Sequence, residues 1–148
     1  MYRRILVAFD GSPESRLAVD ECSHLITVSG REIHLACVVH DPSPYLLAGE
    51  FVPEPALSVD RSRMEADLRD AAAKLTERGF TVTTHLEDGE PVDVISKLCE
   101  RLGIDLLILG HRRTKKFAFR WWRGSVDSLL VERVRCSILI AGDTPPAP

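Results

Sequence analysis

Residues 3–13 read RRILVAFDGSP. The run from Ile5 to Phe9 is apolar without a break. A strand with one wet face alternates apolar and polar residues, whereas an unbroken run suits a strand covered on both faces, as in a parallel sheet. A turn and a helix start come next. Asp10-Gly11 turns the chain, Ser12 is placed to cap free amides, and Pro13 suits the first helical position. The stretch is the first half of a β-α unit.

Working outward, the same unit recurs. The first helix is expected from 13 to about 28, with Leu17, Ala18, Cys22, Leu25 and Ile26 near one face and Ser29-Gly30 at its end. EIHLACVVH (32–40) reads as a second strand. Residues 41–60 hold four prolines and no clear period, and are expected to form a long loop. A helix over about 60–78 would bury Met64, Leu68, Ala71, Ala72 and Leu75. FTVTTHLE (80–87) alternates as a strand should. A helix over about 91–102 carries Val92, Ile95, Leu98 and Cys99. IDLLILG (104–110), a short helix over about 125–134 and CSILIA (136–141) complete the series. Strands alternating with helices imply a parallel sheet with right-handed crossovers and helices on both faces, an α/β fold of five strands. One domain over residues 1–142 is expected, with 143–148 as a flexible tail.

Composition excludes several classes. The 148 residues are 45% hydrophobic and 28% charged, with a formal net charge of −3. That balance suits a soluble domain and does not favour general nucleic-acid binding. No apolar run approaches the roughly 20 residues of a membrane span, and a cytoplasmic protein is expected. Cys22, Cys37, Cys99 and Cys136 are widely spaced among apolar neighbours. They read as buried reduced thiols rather than a zinc site.

In sheets of this kind ligands bind beyond the carboxyl ends of the strands, where strand order reverses. Attention therefore falls on the loops after strands one, two and four. Asp10, closing strand one, could accept hydrogen bonds from a ribose. Gly110, closing strand four, leaves room for a ligand ring or sugar. Gly124, Ser125 and Val126 open the last helix, where free amides and the helix dipole favour an anion. Arg112, Arg113 and Lys115 could neutralise phosphate oxygens. The bland alternative is that Gly110 is only a turn and Gly124 only a helix start.

Three segments carry a resemblance. ILVAFDGSPES, GEPVDVISKLCERLGIDLLILGHRR and GSVDSLLVERVRCSILIA together resemble the universal stress protein family, in order and spacing, over nearly the whole chain. The resemblance implies a Rossmann-like, adenine nucleotide alpha hydrolase-like fold, a stress-response regulator and a homodimer paired through the last strand. One branch of the family binds ATP through the pattern G-x2-G-x9-G-[S/T]; the other lacks the pattern and does not bind ATP. Here Gly110 matches the first glycine and Gly124-Ser125 the closing pair. The middle glycine is replaced by Arg113 or Thr114, and the span from Gly110 to Gly124 is one residue longer than the pattern. Asp127 adds a carboxylate in the first turn of the last helix, where it could compete with phosphate. Asp10 is present, and by the same resemblance Ala8 and Val38 would line the adenine. The expected ligand is ATP or a similar adenine nucleotide, with Mg2+ as a possible companion.

The segment 111–123 offers other readings. Its six basic residues between 112 and 123 stand with Phe117, Phe119, Trp121 and Trp122 and without an acid. Taking these six from the 19 basic residues leaves 13 against 22 acidic ones, a net −9, so the strip is cationic on an acidic chain. It could neutralise phosphate, dock an unknown protein partner, or stack single-stranded nucleic acid; the acidic remainder disfavours the last. A nucleotide-free interaction module of the same fold is the alternative function. Catalysis has little support: His24, His34, His40, His85 and His111 have no ligand spacing, and Ser12 beside Asp10 lacks an evident base.

Overall fold

The structure, a computed structural model, describes residues 1–25, 30–40, 54–111 and 126–142. In chain order the elements are β1 (Arg4–Ala8), α1 (Pro13–Leu25), β2 (Glu32–His40), α2 (Glu54–Glu77), β3 (Thr81–Gly89), α3 (Pro91–Leu102), β4 (Leu106–Gly110), α4 (Val126–Arg133) and β5 (Ser137–Ala141). The five strands form one sheet in the order β3-β2-β1-β4-β5, every adjacent pair parallel. From β1 the chain builds outward through β2 and β3, then crosses back to β4 and β5. The order therefore reverses between β1 and β4, at the heart of the sheet.

Each strand of the centre is buried because both its faces are covered. Along β1, Ile5 and Val7 join Ile33, Leu35, Cys37, Leu75 and Ile108 on one side. Leu6 and Ala8 join Ala36, Val38, Ile95, Leu107, Leu109 and Leu130 on the other. Helices α1 and α2 seal the first layer; α3 and α4 seal the second. The unbroken apolar run from Ile5 to Phe9 is the sequence trace of this double coverage, and all five residues are fully buried.

Local signals set most element ends. Ser12 caps α1: its hydroxyl accepts the Ser15 N–H at 3.2 Å, and the Ser15 hydroxyl donates to the Ser12 carbonyl at 2.9 Å. Glu90 caps α3 by accepting the Asp93 N–H at 3.0 Å, with Pro91 next in the chain. Gly103 ends α3 at φ 61°, ψ 44°, a left-handed conformation that a side chain would strain.

Three expectations are corrected. Of the long loop expected over 41–60, residues 41–53 lie outside the described residues and the rest is helix from Glu54, so α2 begins about a turn and a half earlier than the 60 expected. Pro55 misled the reading. A proline in the first turn of a helix costs no hydrogen bond, because the amide it lacks has no partner there. Leu25, assigned to the buried face of α1, is 51% exposed; Val19 and Ser15 are buried there instead. Cys136 is only partly buried, unlike Cys22, Cys37 and Cys99. Burial pushes the Cys22 thiol up to about 12 and raises Cys99 as well, which keeps both from acting as thiolate nucleophiles. Of the expected helix over 13–28, residues 26–28 lie outside the described residues, as do Ile26 and the tail 143–148.

Candidate functional site

The reversal of strand order brings the ends of β1 and β4 side by side, with β2 flanking β1. Three of the expected residues meet there. Ala8 ends β1, Asp10 comes two residues later, and Gly110 ends β4. Val38 lies two residues beyond Ala36, the register partner of Ala8. Asp10 is 1% exposed, although it is a carboxylate at a strand end. Its Oδ1 accepts the Ser12 N–H at 2.9 Å, which folds the β1–α1 turn back over the strand. Gly11 makes that turn at φ +80°, open to glycine at little cost.

The alternation of a parallel ladder gives Val38 a particular orientation. The Phe9 N–H donates to the Ala36 carbonyl at 2.8 Å, so residue 36 directs its backbone towards β1. Backbone groups of a strand repeat their direction every second residue, so the N–H and C=O of Val38 also point to the β1 side. There the chain has already turned away at Asp10-Gly11. A donor and an acceptor on one residue, itself fully buried, thus point past the end of β1. The side chains beneath are small: Ala8 pairs with Ala36, both fully buried. Sequence reasoning missed Ala36. Its signal was the shared parity of positions 36 and 38 on β2 with position 8 on β1.

Gly110 has a different reason from the one expected. A Cβ built on it would lie 2.0 Å from the Glu14 carbonyl oxygen, 2.3 Å from its carbon and 2.8 Å from the Ser15 nitrogen. The space a side chain would need is filled by the first turn of α1, not by an open approach for a ring or sugar. The glycine lets α1 close directly on β4. It thereby fixes the Asp10–Ser12 turn, which leads into that helix, relative to β4.

The other expected residues are only partly in view. Val126 opens α4, whose Leu130 is fully buried against Leu107 and Leu109. Arg113, Gly124 and Ser125, together with Arg112, Lys115 and the rest of 112–123, lie outside the described residues. His111 stands at the rim of the site, its N–H bonded to the Ala141 carbonyl at 3.1 Å. Among the described residues no three of His, Cys, Asp or Glu form a metal-binding group, and no helix is long and apolar enough to cross a membrane.

The pattern of the Universal stress protein family matches residues 1–142. The chain belongs to the universal stress protein family. A curated relative, universal stress protein YxiE of Bacillus subtilis, is 26% identical over 147 residues, covering 95% of this chain and 99% of its own. Among solved structures, a universal stress protein family protein from Arabidopsis thaliana with AMP bound has a TM-score of 0.68 at 18% identity, covering 99% of this chain and 96% of its own. A universal stress protein in complex with cAMP has a TM-score of 0.63 at 23% identity, covering 95% and 96%. At these identities the structural likeness establishes the fold. The family membership rests on the match along residues 1–142.

Proposed function

We propose that this universal stress protein binds an adenine nucleotide, ATP in the first instance, at the carboxyl ends of β1, β2 and β4, and serves as a regulator rather than a metabolic enzyme. The observation that carries the reading is a carboxylate, Asp10, held at 1% exposure where strand order reverses, next to β2, where the buried Val38 turns its backbone towards the β1 side. The Val38 N–H and C=O match the alternating acceptor and donor edge of adenine, over a floor of small side chains at Ala8 and Ala36. Asp10 is the group for the ribose hydroxyls. The triphosphate is assigned to Gly124, Ser125 and the backbone of Val126 at the start of α4, with Arg113 supplying charge where the family pattern has a glycine. The AMP and cAMP bound by two relatives of the same fold support the adenine class. Mg2+ would arrive with the phosphates, since the described residues form no metal cage of their own.

The same proposal includes a cytoplasmic homodimer. β5 is an edge strand whose Ile140 is 46% exposed. An exposed apolar edge is an aggregation hazard unless it is covered, and a second copy across a two-fold axis covers both edges at once.

Calorimetric titration with ATP, AMP and adenosine tests the site. ATP is expected to bind more tightly than adenosine, and Gly124→Val to abolish the difference. A protein that binds none of the three at millimolar concentration has no such site. The partner-docking reading of residues 111–123 would then take its place, with Trp122→Ala expected to abolish partner capture.

A further inference from the structure

Two histidines unused by the nucleotide reading meet on the opposite wing of the sheet. His34 lies on β2 and His85 on β3, with Nδ1 of the first 3.0 Å from Nε2 of the second. The ring centroids are 5.2 Å apart and the planes 37° from parallel. In the ladder His34 is opposite Thr83 and His85 opposite Ala36, so the rings are diagonal neighbours on one face. That face is the one carrying Ala36 and Val38, under α3. His34 is 8% exposed.

A contact between two ring nitrogens at this distance requires a single proton between them. One ring donates and the other accepts, so at least one imidazole is neutral. If both rings are protonated, both nitrogens carry hydrogen, the bond is lost and two like charges stand in contact. The surrounding charges do not offset this. Facing the pair are Glu32 from β2, with Oε2 4.0 Å from His34 Nε2, and Arg4 from β1, which is itself bonded to Glu32 at 3.2 Å. Beside His85 stand Glu87 from β3 and Arg101 from α3, ion-paired at 3.7 Å. Each of these anions is matched by a cation. α2 packs against the other face of the sheet, away from the rings. Burial lowers the proton affinity of both imidazoles, and His34 lowers that of His85 further.

Among the described residues β3 is an edge strand, paired with β2 on one side. We propose that the His34–His85 pair is an acid-sensitive latch: it fastens β3 to β2 while at least one ring is neutral, and it releases the β3 edge when both rings take a proton from solvent. Ordinary histidines titrate at about 6.5, so mildly acidic conditions are the range in which the latch opens. β2 also carries Val38, so release would loosen one wall of the nucleotide site. That consequence rests on the proposed function; the latch itself does not.

The test is amide hydrogen exchange of residues 81–89 in the full chain without nucleotide, corrected for the intrinsic effect of pH. Between about pH 7.5 and about pH 5, exchange in β3 is expected to accelerate about ten-fold or more relative to β1, because opening is coupled to as many as two protons. His34→Gln and His85→Gln keep a hydrogen-bonding side chain and cannot titrate; each should flatten that response. Equal acceleration in both glutamine variants, or unchanged β3 protection in the native chain, overturns the proposal. Should the variants fold poorly, nuclear magnetic resonance titration of the native histidines decides. Two coupled steps below about 6.5 support the latch, and independent titration at or above that value refutes it. Neither readout involves nucleotide, so failure here and failure of the ligand reading are separable.

Discussion

Gly110→Ala offers a sharp test of how the site is held. The added methyl carbon would sit 2.0 Å from the Glu14 carbonyl oxygen, against 3.4 Å or more for ordinary contact, so α1 must retreat from β4 by about 1.4 Å. The obstacle is backbone on the helix side and a central strand on the other, so no side chain can rotate to absorb it. Overpacking of well-filled interiors costs about 1–3 kcal/mol, and a clash with backbone belongs at or above the upper end. Gly30→Ala is the control. Gly30 has φ +95° and, its chain neighbours aside, no heavy atom of the described residues within 4 Å of its Cβ position, so Gly30→Ala should bring conformational strain without a clash, about 1–2 kcal/mol. Urea unfolding should therefore show a loss of about 3 kcal/mol or more for Gly110→Ala and a clearly smaller one for Gly30→Ala. For a chain of this size about 3 kcal/mol corresponds to a fall in melting temperature of about 6–12 °C. A Gly110→Ala protein as stable as the parent, losing only nucleotide affinity, would refute the packing account and restore the glycine to the ligand.

Other outcomes rest on the same geometry. Asp10→Ala removes the acceptor of the Ser12 N–H and should cost about 1 kcal/mol of stability, while ATP affinity falls about ten-fold or more by calorimetry; equal affinity removes Asp10 from the site. Ile140→Arg, on an exposed edge position, should convert a dimer to a monomer in sedimentation without changing the circular dichroism spectrum. Because His34 and His85 both have lowered proton affinity when folded, the unfolded chain binds more protons as pH drops below about 6.5. Stability is then full above that value and is lost as pH falls, by up to about 2.7 kcal/mol per pH unit for two protons. His85→Gln should at least halve that slope in urea titrations at several pH values.

The sheet was legible because its central strands are buried on both faces and spell it out in unbroken apolar runs. β2 and α3 match their expected bounds residue for residue, since Gly30, Pro91 and Gly103 punctuate them. The start of α2 was not legible: the prolines before it read as loop, and only tertiary context separates a proline in a loop from one in a first helical turn. The candidate site was legible only in its placement at the strand ends. Asp10 and Gly110 stand out as residues at strand ends, but the partner that makes Gly110 obligatory is the backbone of Glu14 and Ser15, which leaves no mark in a sequence. The His34–His85 contact was invisible for a related reason. The two residues lie 51 positions apart, and their meeting depends on a diagonal register that no local pattern encodes.

The central claim is that this chain binds an adenine nucleotide despite lacking the middle glycine of the family pattern. The most direct measurement denatures freshly purified protein, identifies any released nucleotide by chromatography, and titrates ATP back into the nucleotide-free protein. The protein is expected to release ATP or a related adenine nucleotide, and to rebind one ATP per chain. Protein that releases no nucleotide and gives no saturable binding of ATP, AMP or cAMP at millimolar concentration would contradict the claim.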